Sequence, residues 1–275
     1  MIVVKLGGGA GIDPANTLAD LAPRKDWVLV HGASDEASRL GEALGHAPRF
    51  VTSISGHVSR FTDERTRDLF AMASGSLNLR LVADLQRRGC NALGLLGPSG
   101  RVLAAQRKDH VKAMVEGKRV VLRGDFTGTI DRVNADLLRL LLGQGYAPVL
   151  GVPAMSHEGD AVNADADRAA AQVAGALGAE ALVILSNVPG LLRDLKDPSS
   201  LVRRIPAPEL EGIAEKYAQG RFKKKVMGAA EALALGVPRV ILASAQVPRP
   251  LEAALQGEGT IIHRADAPAL PGGAA

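Results

Sequence analysis

Cysteine is almost missing from this chain: Cys90 is the only one in 275 residues, which excludes an internal disulfide and any cysteine-rich zinc or iron–sulfur site. It lies in RRGCNALGLLG, between an amphipathic stretch and an apolar run, with no histidine beside it, and reads as filler at a packed junction. Aromatic residues make up only 3% of the chain, and no basic stripe is interleaved with stacking side chains, so nucleic acid is not expected as a partner. No window approaches the roughly 18 uninterrupted apolar residues of a membrane span. The start, MIVVKLGGG, has no basic run ahead of a long apolar stretch, so the expectation is a cytoplasmic protein with neither signal peptide nor membrane segment. His46, His57, His110, His157 and His263 follow no metal-ligand spacing; they read as surface or packing residues, and no protein-held metal is expected. Neither the P-loop pattern nor the dinucleotide pattern occurs in its proper strand–helix context.

What is present suits a globular protein: 47% of residues are apolar and 23% charged, enough for one large core or two modest ones. The net charge is only +4, but base is concentrated locally at Arg107-Lys108 and Lys223-Lys224-Lys225, which points to an acidic ligand or partner. Short apolar, β-branched runs (IVVKL, WVLVHG, NALGLLG, APVLGVPA, ALVILSNV and RVILAS) alternate with longer amphipathic stretches, the signature of an α/β fold with a largely parallel sheet. Near-continuous hydrophobicity in IVV and LVIL predicts strands covered on both faces. Between Gly100 and Asn134 the rhythm breaks: RVLAAQRK, KRVVLRGDF and TGTIDRVN alternate like a small antiparallel meander, before a helix over Ala135 to Gly143. The ending APALPGGAA reads as a mobile tail.

Four segments carry candidate chemistry. Lys5-Leu6-Gly7-Gly8-Gly9 ends the first strand; successive glycines let the backbone aim N–H groups at an anion while the lysine adds charge, although an ordinary strand–helix turn has the same composition. His31-Gly32-Ala33-Ser34 follows the second strand, and two such turns point to one crevice at the carboxyl edge of the sheet. There the backbone of Gly32 and Ala33 is the binding candidate, while Ser34 or Asp35 reads as a helix cap. Asn163-Ala164-Asp165-Ala166-Asp167-Arg168 opens an alanine-rich helix running through Leu177. Capping and the helix dipole account for one carboxylate there; a second is available to order a pair of lysines. Finally, the lysines of Tyr217-Ala218-Gln219-Gly220-Arg221-Phe222-Lys223-Lys224-Lys225 precede the helix MGAAEALALG, where one of them can reach an anion and the others form a solvated face.

VVKLGG, the VHG turn, Arg60-Phe61-Thr62, NADADRAAAQVAGALGAE, ILSNVPGLL and KKKVMGAAEALALG occur in one order over almost the whole chain. This order resembles the amino acid kinase family, in particular its N-acetylglutamate kinase branch. The resemblance implies a three-layer αβα sandwich with a largely parallel central sheet and two lobes: residues 1–178 for acceptor binding and dimerisation, and 179–275 for ATP. It implies that Lys5 and Lys225 stabilise a transferring phosphoryl group and that Asp167 organises both. Gly7 and Gly8 would meet the nucleotide's phosphates, and Asn187, Val188, Gly190, Leu191 and Tyr217 would surround the nucleotide. Gly32, Ala33, Arg60 and Asn163 would hold an acidic acceptor, Arg60 by a fork onto its α-carboxylate. Mg²⁺ would be held mainly through ATP phosphates, and a homodimer is expected.

The match has departures. The turn after His31 lacks the third glycine usual in N-acetylglutamate kinases, and Asp165 stands where asparagine is common. SISGHVSRFTDERTRD and VILASAQVPRPLEAAL are closer to the lysine-biosynthetic members, which phosphorylate 2-aminoadipate attached to a small acidic amino-group carrier protein. Arg107, Lys108, Lys112, Lys118 and Arg119 would suit docking of such a carrier. The acceptor stays open among carrier-bound aminoadipate, carrier-bound glutamate and free N-acetylglutamate. A non-catalytic nucleotide or amino-acid sensor is the reading from another class.

Overall fold

The alternating runs form strands and the amphipathic stretches form helices, in a computed structural model that describes residues 1–267 apart from 10, 55, 57, 116, 117, 219 and 221. The expected mobile tail, beyond Ala267, and His57 lie outside the described residues. In chain order the first part comprises β1 (Ile2–Leu6), α1 (Ala15–Leu21), β2 (Trp27–His31), α2 (Ser34–Ala43), β3 (Phe50–Ser53), β4 (Val58–Arg60), α3 (Glu64–Arg87) and β5 (Ala92–Leu96). There follow β6 (Leu103–Val115), β7 (Lys118–Val133), α4 (Ala135–Gly143), β8 (Ala147–Gly151), β9 (Ala154–Ser156), β10 (Ala161–Val162) and α5 (Ala166–Leu177). The last third holds β11 (Ala181–Ser186), β12 (Arg204–Pro206), α6 (Leu210–Tyr217), α7 (Phe222–Ala234), β13 (Arg239–Ser244), α8 (Pro250–Leu255) and β14 (Thr260–His263).

One eight-stranded sheet crosses the molecule in the order β12-β14-β13-β11-β1-β2-β8-β5. From β13 to β5 every pairing is parallel, and β14 joins β13 antiparallel. Alternation within the strands sends Val3, Val30, Ile184 and Leu242 to one face, against α5 and α7, and Val4, Leu29, Leu185 and Ile241 to the other, against α1, α3 and α8. Both faces are therefore dry, which is why the central runs lack polar interruptions. The three layers expected of the fold are present. Gly178, where the expected lobe boundary falls, is the left-handed residue that ends α5, and the sheet runs unbroken across it because β1 pairs with β11.

The region expected to be a meander departs from the sequence reading. KRVVLRGDF and TGTIDRVN form one strand, β7, which pairs antiparallel with β6 along nearly its whole length. The apparent break is an irregularity next to Gly124, whose φ of 75° admits glycine at no steric cost. β6 in turn organises a second sheet, β10-β9-β6-β3-β4, from strands too short to show a period in the sequence.

Candidate active site

Lys5 is the penultimate residue of β1, and the two-residue alternation turns it to the α5 face, where it is 5% exposed. A buried ammonium needs a partner. Asp167 supplies it: Lys5 Nζ stands 2.6 Å from Asp167 Oδ1, and Lys225 Nζ stands 3.6 Å from Oδ2 of the same carboxylate. Asp165, not Asp167, caps α5, accepting from the backbone N–H of Asp167 and of Arg168, so the second carboxylate is free for the lysines as the sequence suggested. The lysine cluster differs from expectation: α7 begins at Phe222, so Lys223, Lys224 and Lys225 form its first turn rather than preceding it. Lys223 is exposed, Lys224 lies 3.9 Å from Asp165, and Lys225 turns inward.

Helices α5 and α7 approach closely at this point. A Cβ on Gly228 would stand 3.1 Å from the Asp167 carbonyl, so glycine one turn after Lys225 lets the two backbones meet. Arg168 and Gln172 on α5 both reach Glu231 on α7 and brace the pair. Burial alone would raise the Asp167 carboxyl, but the Lys5 and Lys225 ammonium groups outweigh it and hold it below the ordinary range. Lys225 is pushed down, by burial first and then by the like charge of Lys5, against the pull of Asp167 and Asp165. With both lysines protonated, the trio carries one positive charge in excess, in a place where that charge is poorly solvated. It is a seat for an anion.

The two glycine turns interlock beside it. A Cβ on Gly8 would fall 2.2 Å from the Gly32 carbonyl carbon, so no other residue fits there without moving the backbone. Gly32 N–H donates to the Leu6 carbonyl, Asp35 N–H donates to that of Gly8, and Gly7 N–H donates to that of Leu185. These turns line a cleft of about 220 Å³ together with His31 and Ala33. Neither Ser34 nor Asp35 caps α2: the cap position is Ala33, whose methyl group can accept no bond, and the Asp35 N–H is satisfied instead by the Gly8 carbonyl. His31 itself is buried on the opposite face, where its Nε2 meets the Asn78 amide. Burial, with a smaller push from Lys5 and against the Gly32 backbone, lowers its pKa to about 4, so the ring is neutral and unsuited to act as a base.

Of the other residues singled out from sequence, Gly32 adjoins the start of α5, its Cα substituent position lying 3.5 Å from Ala166 Cβ. Arg60 is buried at the end of β4, where it donates to the Ser34 carbonyl and the Ser38 hydroxyl of α2 and lies over the Phe50 ring. Asn163 donates from Nδ2 to the Thr62 hydroxyl, which joins it to the Arg60-Phe61-Thr62 element. Asn187 and Val188 follow the end of β11, where Leu185 and Ser186 adjoin Gly7, whereas Gly190 and Leu191 are buried. Leu191 N–H donates to the Thr260 hydroxyl, and Leu191 is 2% exposed, so it shapes that loop from beneath. Tyr217 closes α6 and packs, half-buried, on the α7 side of the sheet. Gly228, Glu231 and Thr260 escaped the sequence reading; only Gly228 left a signal there, as a glycine inside a helical pattern. Cys90 is buried as expected, and burial pushes its thiol up.

The amino acid kinase family model matches residues 1–244, which contain the lysine–aspartate trio and both glycine turns. The chain belongs to the amino acid kinase family. Among curated relatives, it is 55% identical to the [LysW]-aminoadipate kinase of Deinococcus radiodurans, over 95% of this chain and 91% of that protein. It is 51% identical to the protein of that name from Thermus thermophilus, over 96% of this chain and all of that one. The acetylglutamate kinase of Methanopyrus kandleri is 38% identical, over 96% and 100%. Among solved structures, N-acetylglutamate synthase from Neisseria gonorrhoeae superposes with a TM-score of 0.74 at 26% identity; 95% of this chain spans 59% of that longer one. A Giardia carbamate kinase, TM-score 0.67 at 16% identity over 96% and 98%, shares the fold of this family member.

Proposed function

We propose that this chain is an ATP-dependent kinase that phosphorylates the side-chain carboxylate of 2-aminoadipate while its amino group is held by a small acidic carrier protein. The observation that carries this reading is the Lys5–Asp167–Lys225 trio beside the interlocked Gly8 and Gly32 turns. A carboxylate oxygen attacks the γ-phosphorus, the bond from that phosphorus to the β,γ-bridging oxygen breaks, and ADP leaves with an acyl phosphate formed. An ionised carboxylate is already a nucleophile, so the reaction needs positioning and charge neutralisation more than a base. Lys5 and Lys225 neutralise the equatorial oxygens, Asp167 keeps the two ammonium groups in register, and the Gly7–Gly8 backbone holds the phosphates. Asp167 is committed to two cations, so Mg²⁺ would come bound to the ATP phosphate oxygens, where it neutralises charge.

Gly32, Ala33, Arg60 and Asn163 hold the acceptor, and the loop from Asn187, with Tyr217, borders the nucleotide. Residues up to 178 then form the acceptor half and those from 179 the ATP half. For the carrier, support comes from the names of the two relatives above 50% identity and from one face of the β6–β7 hairpin. On that face cross-strand register aligns His110, Lys112 and Met114 with Arg123, Val121 and Arg119, all exposed. Arg107, also considered for docking, is engaged instead by Asp160 and the Phe126 ring. A homodimer is supported by family resemblance and by Met72 and Leu79, exposed on one face of α3.

A steady-state assay with ATP and three acceptors tests the reading: aminoadipate-loaded carrier, glutamate-loaded carrier and free N-acetylglutamate. Turnover on the loaded carriers is expected, falling steeply with ionic strength because the docking charges are solvated. Efficient turnover of free N-acetylglutamate at micromolar-to-millimolar concentration overturns it. A sensor role would show as nucleotide binding with no turnover of any acceptor.

A further inference from the structure

Outside the lysine–aspartate trio, the most deeply buried carboxylate among the described residues is Asp125, 0% exposed, in β7 next to the irregularity at Gly124. Its two oxygens are shared between two segments. Oδ1 accepts from the Thr62 backbone N–H at 3.0 Å; Oδ2 accepts from the Thr127 N–H at 3.3 Å and from the Thr127 hydroxyl. Around that clamp the main chain forms a closed circuit. Phe126 N–H donates to the Thr62 carbonyl, Asn163 N–H to that of Phe126, and Gly128 N–H to that of Asn163. The Thr62 hydroxyl donates to the Arg60 carbonyl and accepts from Asn163 Nδ2. β7 and β10 meet closely enough here that a Cβ on Gly128 would fall 2.7 Å from Val162.

We propose that Asp125 is a positioning residue for the acceptor, acting with Thr62 to fix Arg60 and Asn163 in one geometry although they come from separate segments of the chain. The inference rests on the acceptor reading of Arg60 and Asn163 given above. Arg60 ends a three-residue strand and Asn163 follows a two-residue one, so the chain leaves its short ladder at both and its course beyond them must be set by other bonds. A carboxylate suits this task because it accepts from several donors at once, whereas an amide of the same shape presents an NH₂ to donors and loses at least one bond. Asp125 touches none of the reacting groups. Its effect reaches the acceptor through the Thr62 backbone and hydroxyl.

Steady-state kinetics with ATP and aminoadipate-loaded carrier tests this with Asp125→Asn, Thr62→Val and Thr62→Ser, with Arg60→Ala as the benchmark for a binding residue. Asp125→Asn and Thr62→Val are expected to raise the acceptor KM about tenfold while the ATP KM stays within about twofold; Thr62→Ser, which keeps the hydroxyl, should restore it. An unchanged acceptor KM in Asp125→Asn, with Arg60→Ala still raising it, overturns the inference and leaves the acceptor reading standing, whatever Thr62→Val does. Equal rises in both KM values, tracking a fall in thermal midpoint, also overturn it, since they mark general loosening. An Arg60→Ala enzyme with wild-type acceptor KM sinks the acceptor reading itself, and the inference with it. Should Asp125→Asn fail to fold, Thr127→Val and Thr127→Ser decide, because the Thr127 hydroxyl donates to Asp125 Oδ2: Thr127→Val is expected to raise the acceptor KM and Thr127→Ser to restore it, and an unchanged acceptor KM in Thr127→Val overturns the inference.

Discussion

Around Lys5 and the glycine turns, the groups proposed to meet the phosphates, position is set by the main chain and by paired charges; around Arg60 and Asn163, proposed to hold the acceptor, it is set largely by hydrogen bonds between side chains and backbone. Lys5 is fixed by its register with Val30 and Ile184 on either side, and its ammonium can then reach only the α5 face. Gly8 and Gly32 interlock through their backbones. Arg60 and Asn163, by contrast, lie on a three-residue strand and after a two-residue one; the Arg60 guanidinium is held by Ser34 and Ser38, and the Thr62 hydroxyl bonds both the Arg60 carbonyl and the Asn163 amide. If the proposed roles hold, the difference teaches where tolerance lies: substitutions around Lys5 and the glycine turns should strike turnover, and those around Arg60 and Asn163 should strike recognition.

The largest effect expected, and the clearest way to break this contrast, is at the lysines. Lys5→Ala or Lys225→Ala should lower kcat by at least about a hundredfold, the scale of losing one transition-state stabiliser, with less change in acceptor KM. Wild-type turnover in both variants would remove the phosphate end from the mechanism altogether. Next comes Gly8→Ala, whose methyl group meets the Gly32 backbone at 2.2 Å. Overpacking against backbone costs about 1–3 kcal/mol, so a thermal melt should show a lower midpoint and the assay a sharp loss of activity. Gly143→Ala, with open space around its Cβ near the end of α4, should leave both readings close to wild type.

A smaller effect concerns pH. Lys225 is held below the ordinary lysine range, so its charge is present at low pH and lost as pH rises through that depressed value. The kcat profile should therefore fall on its alkaline side earlier than an ordinary lysine would dictate. Lys225→Arg, which stays charged, should move that limb upward even if its maximum rate is reduced. An alkaline limb that does not move in Lys225→Arg would assign the titration to another group. Asp167 works in the opposite sense. Its carboxyl is depressed, so the stability it contributes is present above the ordinary carboxyl pKa of about 3.9 and is lost as pH falls through the lower folded value.

The same contrast governs how much can be read from the residues alone. The six apolar runs of the sequence become the six parallel neighbours of the large sheet because strands buried on both faces have to be apolar throughout. Charge at strand and helix ends makes Lys5, one of the two carboxylates and one of the three lysines legible, since a charge next to buried elements must pair or hold a ligand; the choice of Asp167 and Lys225 comes from the family resemblance. β3, β4, β9 and β10 are not legible, since strands of two to four residues carry no measurable period. Joining KRVVLRGDF and TGTIDRVN into one strand needs the irregularity at Gly124, and the clamp at Asp125 needs residues far apart in the chain to meet. The true start of α7 is hidden in the sequence because a run of lysines resembles solvated loop more than a first helical turn.

The pairing of β1 with β11 has a consequence for biosynthesis. β1 leaves the ribosome well before its parallel neighbour β11, which is made about 180 residues later, and α7, with Lys225, comes later still. A chain dominated by such distant pairings folds slowly and leaves the edge of β1 open in the meantime. A chain ending just before α7 lacks Lys225 and β13, so under the proposed mechanism it should not transfer phosphate, and the uncovered edge of β11 should invite aggregation.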